Sequence, residues 1–128
     1  MLYSILCYHS EKLVGAWTAA EDTATMQRLA VVQQGLTQQR KLGPVVRLMP
    51  TSAATTLRKD RDPPLVVDGP FAETKEQLLG FYMVEVASLD EALEIARQLG
   101  DANPGGSYEI RPVMLFKPGA AQLASSSG

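Results

Sequence analysis

One cysteine in 128 residues, Cys7, leaves the chain with no intrachain disulfide and no cysteine-built metal cluster. Histidine is as scarce: His9 stands alone, so any imidazole chemistry falls on one residue. Neither sign of charge dominates, because 12 basic residues meet 14 acidic ones and leave a formal charge of -2. That balance excludes a broad basic surface for nucleic acid or anionic membranes, although a small local basic site is compatible with it. No run reaches the roughly 20 apolar residues of a membrane span. The opening MLYSILCYHSEK has neither a basic leader nor an apolar stretch of secretory length, so the expected compartment is the cytoplasm. Walker loops, dinucleotide-binding glycines, Ser-His-Asp spacing and zinc spacing are all absent, and no metal or cofactor is expected.

What is present suits one domain with one core: 45% of residues are hydrophobic and 20% charged. Leu2 to Tyr8 reads as a strand with Tyr3, Ile5 and Cys7 on one face and Leu2, Leu6 and Tyr8 on the other. Within that apolar run Cys7 is expected to be a buried thiol rather than a reactive one. Thr18 and Glu21 form a capping-box pattern that opens a helix over 18–42. Leu29, Val32 and Leu36 mark its buried face, and Gly43-Pro44 its stop.

Val45 to Met49 reads as a second strand. Thr55–Lys59 and Leu65–Asp68 read as a hairpin around the proline-rich DRDPP. Asp68-Gly69-Pro70 signals a turn, and the Thr74/Gln77 pair predicts a short helix over 74–79. Gly80 to Ala87 is the next strand. A helix follows from Ser88, with Leu89, Leu93, Ala96 and Leu99 on one face and Gly100 as its close. Tyr108 to Phe116 is the last strand, with Pro112 marking it as an edge or a bulge.

This order is an α+β, ferredoxin-like split β-α-β domain over 1–117 with a β-hairpin insertion, followed by an expected disordered tail over 118–128. Two helices cover one sheet face only. Phe81 and Met83 nevertheless oppose Tyr82, Val84 and Val86 across the same strand, so both faces need cover. A second copy, sheet against sheet, would supply it, and a homodimer is expected.

The string VVDGPFAETKEQLLGFYMVEVASLDEA, together with the later YEIRPV, resembles the segment that names the DGPF-domain group of the YCII-related family. The similarity runs from Leu2 to Phe116. The resemblance implies a ferredoxin-like fold paired as a dimeric α/β barrel. It also implies a His-Asp pair in some relatives, one branch of which removes chloride from a hydroxylated aromatic ring. The relatives' histidine lies around the first helix. No histidine falls between Trp17 and Leu42 here, so that pair does not carry over residue for residue.

Candidate catalytic residues are therefore Asp68, as a proton-handling group or merely a turn residue, and His9, reaching the cavity from another side or simply ending a strand. Candidate ligand-binding residues are Arg111, Glu73, Lys75 and Trp17. Arg111 matches the arginine of the closing RPV; its alternative is an ion pair with Asp68, Glu73 or Glu85. Glu73 and Lys75 would lie near the start of the short helix. Trp17 would either pack over the first long helix or line a cavity mouth.

The expected function is a small cofactor-free enzyme of isomerase or lyase type acting on a small acidic or aromatic molecule. The alternative is a non-enzymatic ligand-binding or regulatory module, since DGPF-domain proteins are often encoded beside extracytoplasmic-function sigma factors. Direct contact with nucleic acid or membrane is not expected.

Overall fold

A computed structural model describes residues 1–123. In chain order it contains β1 (Leu2–His9), α1 (Glu11–Gly15), α2 (Ala19–Gln38), β2 (Leu42–Arg47) and a 3₁₀ turn (Thr51–Ala53). β3 (Thr55–Arg58), β4 (Leu65–Asp68), β5 (Gln77–Glu85), α3 (Leu89–Ala102) and β6 (Ser107–Pro112) follow. The result is a mixed α+β fold with antiparallel sheets, compatible with the ferredoxin-like class. The main sheet runs β2-β5-β1-β6, and β3 with β4 forms a separate two-stranded sheet.

Both long helices begin where their caps dictate. Thr18 Oγ1 accepts from the Glu21 N–H at 3.1 Å while the Glu21 carboxylate accepts from the Thr18 N–H at 3.0 Å. Two otherwise unpaired donors of α2 are thereby satisfied. These bonds also hold the Glu21 carboxyl below its ordinary range. Ser88 caps α3 by accepting from Glu91 N at 3.2 Å. The Glu91 carboxylate reaches Ala87 N and, at 2.9 Å, the Lys41 ammonium.

α2 stops at Gln38 rather than 42, and Gly43-Pro44 falls inside β2. The stop is made instead by Arg40, with φ of 58°. Lys41 N donates to Leu36 O and Arg40 N to Thr37 O, both at 3.0 Å, a Schellman close built on a non-glycine residue. α3 passes through Gly100 to Ala102 and ends against Asn103-Pro104. Leu89, expected on its buried face, is 49% exposed.

The expected helix over 74–79 does not form. The Gln77 amide donates to the Thr74 carbonyl at 2.6 Å, and Gln77 already opens β5, which pairs with both β1 and β2. Ladder hydrogen bonds to two neighbours outweigh a single local capping pattern. α1, capped by Ser10, has no counterpart in the sequence pattern, because five residues carry too little periodicity. β6 is an edge strand, as Pro112 indicated, but ends there rather than at Phe116. Residues 118–123 have no regular structure, and the last five of the expected tail lie outside the described residues.

One face of the sheet is the core. Tyr3 and Ile5 on β1 and Tyr82 and Val84 on β5 pack under Leu29 and Leu36 of α2 and Ile95 and Leu99 of α3. Register places Ile5 opposite Tyr82 and Tyr3 opposite Val84, so the four share that face. Leu6 opposite Phe81 and Ser4 opposite Met83 share the other, which carries no helix. β5 and β2 approach so closely at Gly80 that any Cβ there would run into the Val46 carbonyl.

Leu99→Ala should lower stability by about 2–5 kcal/mol, because a side chain with no exposure leaves a cavity when removed. Leu89→Ala should cost under about 0.5 kcal/mol. Urea unfolding measures both, and equal shifts of the two midpoints would contradict this packing.

Candidate functional site

The sequence candidates divide between one end of the main sheet, the hairpin insertion, and the edge strand β6 on the open face. His9 ends β1 opposite Gln77, the first residue of β5. Its Nδ1 accepts from Ser10 N at 2.8 Å, so the neutral ring carries its proton on Nε2. The ring stands edge-on to Trp17, with centroids 6.3 Å apart and planes at 78°. Gly105 and Gly106 close over it, with φ of 82° and 77°. A Cβ on Gly105 would come within 2.6 Å of His9 Nε2. Only glycine meets both demands at that position: a left-handed backbone and contact with the imidazole.

Trp17 and Pro104 line a cleft of about 270 Å³ with Glu21, Thr25 and Arg28. Arg28 is occupied there, donating from Nε to the Ala102 carbonyl and from Nη2 to Thr25 Oγ1, each at 3.1 Å. A shallower hollow of about 340 Å³ lies between α3 and β6, with Gly105, Gly106 and Tyr108 in its wall. His9 therefore sits beneath a loop that borders two hollows.

Around His9 is a hydrogen-bonded hub that the sequence reading did not identify. The Glu11 carboxylate accepts from Thr51 N at 2.7 Å and from Thr51 Oγ1 at 2.6 Å. Glu11 N donates to Gln77 Oε1 at 2.9 Å, and the Gln77 amide holds Thr74. Thr51 precedes the hairpin and Thr74 follows it. Both ends of the insertion are thus fastened at one point, beside His9. The partners are 40 and 66 residues apart in sequence, or lie in a local pattern that reads as a helix cap, so no local pattern announces them.

Asp68 ends β4, exposed, opposite Thr55. Its bend is held by Gly69 N donating to the Ala54 carbonyl at 2.7 Å and Thr56 Oγ1 donating to the Gly69 carbonyl at 2.7 Å. Arg58 adds a bond from Nη2 to the Phe71 carbonyl at 2.9 Å. The Asp68 carboxylate takes part in none of these. Glu73 and Lys75 lie exposed on the irregular segment after the bend, without the helix start expected for them.

Arg111 is remote from all of these. It pairs with Ser4 on the open face, five residues along β1 from His9, which is about 17 Å. Its Nε donates to Glu109 Oε2 at 2.8 Å, and that carboxylate raises the guanidinium above its ordinary value. Glu109, not Asp68, Glu73 or Glu85, is the partner. Glu85 instead receives the Met1 amino group at 2.8 Å. The pair is largely exposed, which limits its worth.

Cys7 lies between these regions on the core face. Burial pushes its thiol from an ordinary 9.0 up to about 12, and Tyr108 opposite it rises to about 12 for the same reason.

A YCII-related domain model matches residues 1–117. The chain is also 57% identical, over 120 residues, to an uncharacterized protein of Rhizobium meliloti (strain 1021). That match covers 93% of this chain and 97% of the relative. The chain belongs to the YCII-related family. Among the described residues, no helix is long and apolar enough to cross a membrane.

Gly105→Ala should destabilise the fold by about 1–3 kcal/mol through strain and its collision with His9. Gly35→Ala, in open space on α2, should instead add about 0.5–1 kcal/mol. Chemical unfolding distinguishes the two. For Cys7, a raised folded value means that stability is fully present below about 9 and falls as pH rises toward about 12, because the unfolded chain loses its proton first. Cys7→Ala should flatten that alkaline decline. Folded protein at pH 8 should resist alkylation by iodoacetamide that unfolded protein undergoes.

Proposed function

We propose that this YCII-related protein is a small cofactor-independent enzyme of isomerase or lyase type, working as a homodimer on a small acidic or aromatic molecule. Asp68 is the proton-transfer group. The observation that carries the reading is the frame of the Asp-Gly-Pro bend. Ala54, Thr56 and Arg58 hold it through main-chain carbonyls and the Gly69 N–H, and the carboxylate is left over. A turn that needed Asp68 would use its oxygens. A carboxylate held on a fastened arm but unused by it is available to a ligand.

The DGPFAETKEQ string supports membership in the DGPF-domain group. Pairing as a dimeric α/β barrel is supported by Leu6 and Phe81, apolar on the face that no helix covers. His9 serves as a wall and a hydrogen-bond donor rather than a base, since Nδ1 is already bonded and Nε2 carries the proton. Trp17 at the cleft mouth offers an aromatic edge, and Arg111, half of an exposed pair, can exchange Glu109 for an anionic ligand. Glu73 and Lys75 border the bend without contacting it.

One observation favours the alternative of a non-enzymatic binding or regulatory module. Among the described residues, no carboxylate meets the second nitrogen of the lone imidazole to couple it to proton transfer.

A thermal-shift screen of small carboxylates and phenols should identify stabilising ligands. Solvent deuterium entering a carbon position of such a ligand should then be lost by about 100-fold or more in Asp68→Asn. Binding without any exchange, unchanged in Asp68→Asn, would reject the enzyme and leave the binding module.

A further inference from the structure

The cleft beside Trp17 contains an arginine that the fold has positioned but not neutralised. Arg28 donates from Nε to the Ala102 carbonyl and from Nη2 to Thr25 Oγ1, each at 3.1 Å. Thr25 is buried, and its own hydroxyl hydrogen goes to the Glu21 carbonyl at 3.0 Å, which leaves its lone pairs to the guanidinium. Both of the acceptors that hold Arg28 are uncharged. Arg47, Arg97 and Arg111 each have a carboxylate partner, whereas among the described residues Arg28 has none. The two bonds use two of the five N–H groups of a guanidinium and fix its rotamer in advance, so binding through the rest costs little ordering. A planar anion suits such a group, because a carboxylate matches the guanidinium fork. Arg111, already paired with Glu109, has to break an ion pair to do the same.

The other walls narrow the chemistry of that anion. Trp17 and Pro104 make part of the cleft apolar, and His9 braces the indole edge-on at 6.3 Å between centroids. An indole prefers an aromatic ring to an aliphatic group of equal size. The volume of about 270 Å³ falls below the range for drug-sized ligands and suits a single ring. Glu21 limits the charge. Its carboxylate lines the same cleft but is tied back to the Thr18 N–H at 3.0 Å. Glu21 lies seven residues before Arg28, about 10 Å along α2, so the two charges sit toward opposite ends. One end attracts a carboxylate, and the other repels a second one.

We propose that the Trp17–Arg28 cleft binds a small aromatic monocarboxylate, with its carboxylate on Arg28 and its ring against Trp17. Asp68 is not among the residues that line the cleft, so this site stands whether or not the Asp-Gly-Pro bend handles protons.

Trp17 is the chain's one tryptophan, so its fluorescence reports on the cleft directly. Titration with phenylacetate should change that emission saturably. Cyclohexylacetate, which lacks the aromatic ring, and para-phenylenediacetate, which adds a second carboxylate, should each bind more weakly. Arg28→Gln should weaken phenylacetate binding about ten-fold or more. Ala24→Glu places a carboxylate one turn before Arg28, where it occupies the guanidinium without touching the Ala102 bond. It should weaken binding as much, and it decides the question if Arg28→Gln misfolds. Arg97→Gln, in the hollow between α3 and β6 and already paired with Glu94, should leave binding unchanged. A wild-type emission that does not respond to millimolar phenylacetate overturns the site. Unchanged binding in folded Arg28→Gln or Ala24→Glu does so too, as does a loss in Arg97→Gln as large as theirs. Equal affinity for either of the other two acids overturns the assigned ligand class.

Discussion

Two long helices lie on one face of a four-stranded sheet, and that imbalance governs the molecule. Ile5, Val84 and Leu99, each fully enclosed, mark where β1, β5 and α3 meet, and the apolar area removed from water there is the main stabilising term. Alternation along the same strands sends Leu6 and Phe81 to the opposite side. A strand apolar on both faces cannot be satisfied by helices on one. The uncovered face and the detached hairpin are two consequences of one shortage of cover.

The hub at Glu11 and Gln77 matters because it joins the core to the part that is not core. Glu11 begins α1 directly after β1, and Gln77 opens β5, so both are positioned by the best-packed strands. Through Thr51 and Thr74 they hold both ends of the insertion that carries the Asp-Gly-Pro bend. Rigidity reaches Asp68 along this route and then along the β3–β4 ladder. His9, two residues before Glu11 and opposite Gln77, is held by Ser10, Trp17 and the Gly105-Gly106 loop. Its position is well defined, yet its Nδ1 is already engaged by Ser10 N. The better-placed candidate is the less buried one.

Much of the fold was legible residue by residue. Thr18 and Glu21 announced the start of α2, Ser88 the start of α3, and the prolines at 63 and 64 the hairpin loop. Failures came where a local pattern met a long-range competitor. Thr74/Gln77 has the spacing of a helix cap, but Gln77 pairs in the sheet. Gly43 and Gly100 look like helix ends, but the first lies inside β2 and the second packs against Tyr108 of β6 within an α3 that runs on to Ala102. Arg40 could not be anticipated as the left-handed residue, because its type does not favour that conformation. For the site, the bend at Asp68 was visible in the sequence, whereas Glu109 as the partner of Arg111 was overlooked in favour of acids farther away.

By itself the sequence determined the α+β class, the order of the strands and of the two long helices, both long-helix starts, and a central sheet apolar on both sides. These follow from periodicity and capping, which act over a few residues. Only the tertiary structure decided that Gly105 must lie against His9, that Glu11 fastens Thr51, and that the bend at Asp68 is held without its carboxylate. Each of those depends on atoms brought together from distant segments, or on which of several possible donors arrives first, and such choices are made only when the chain packs.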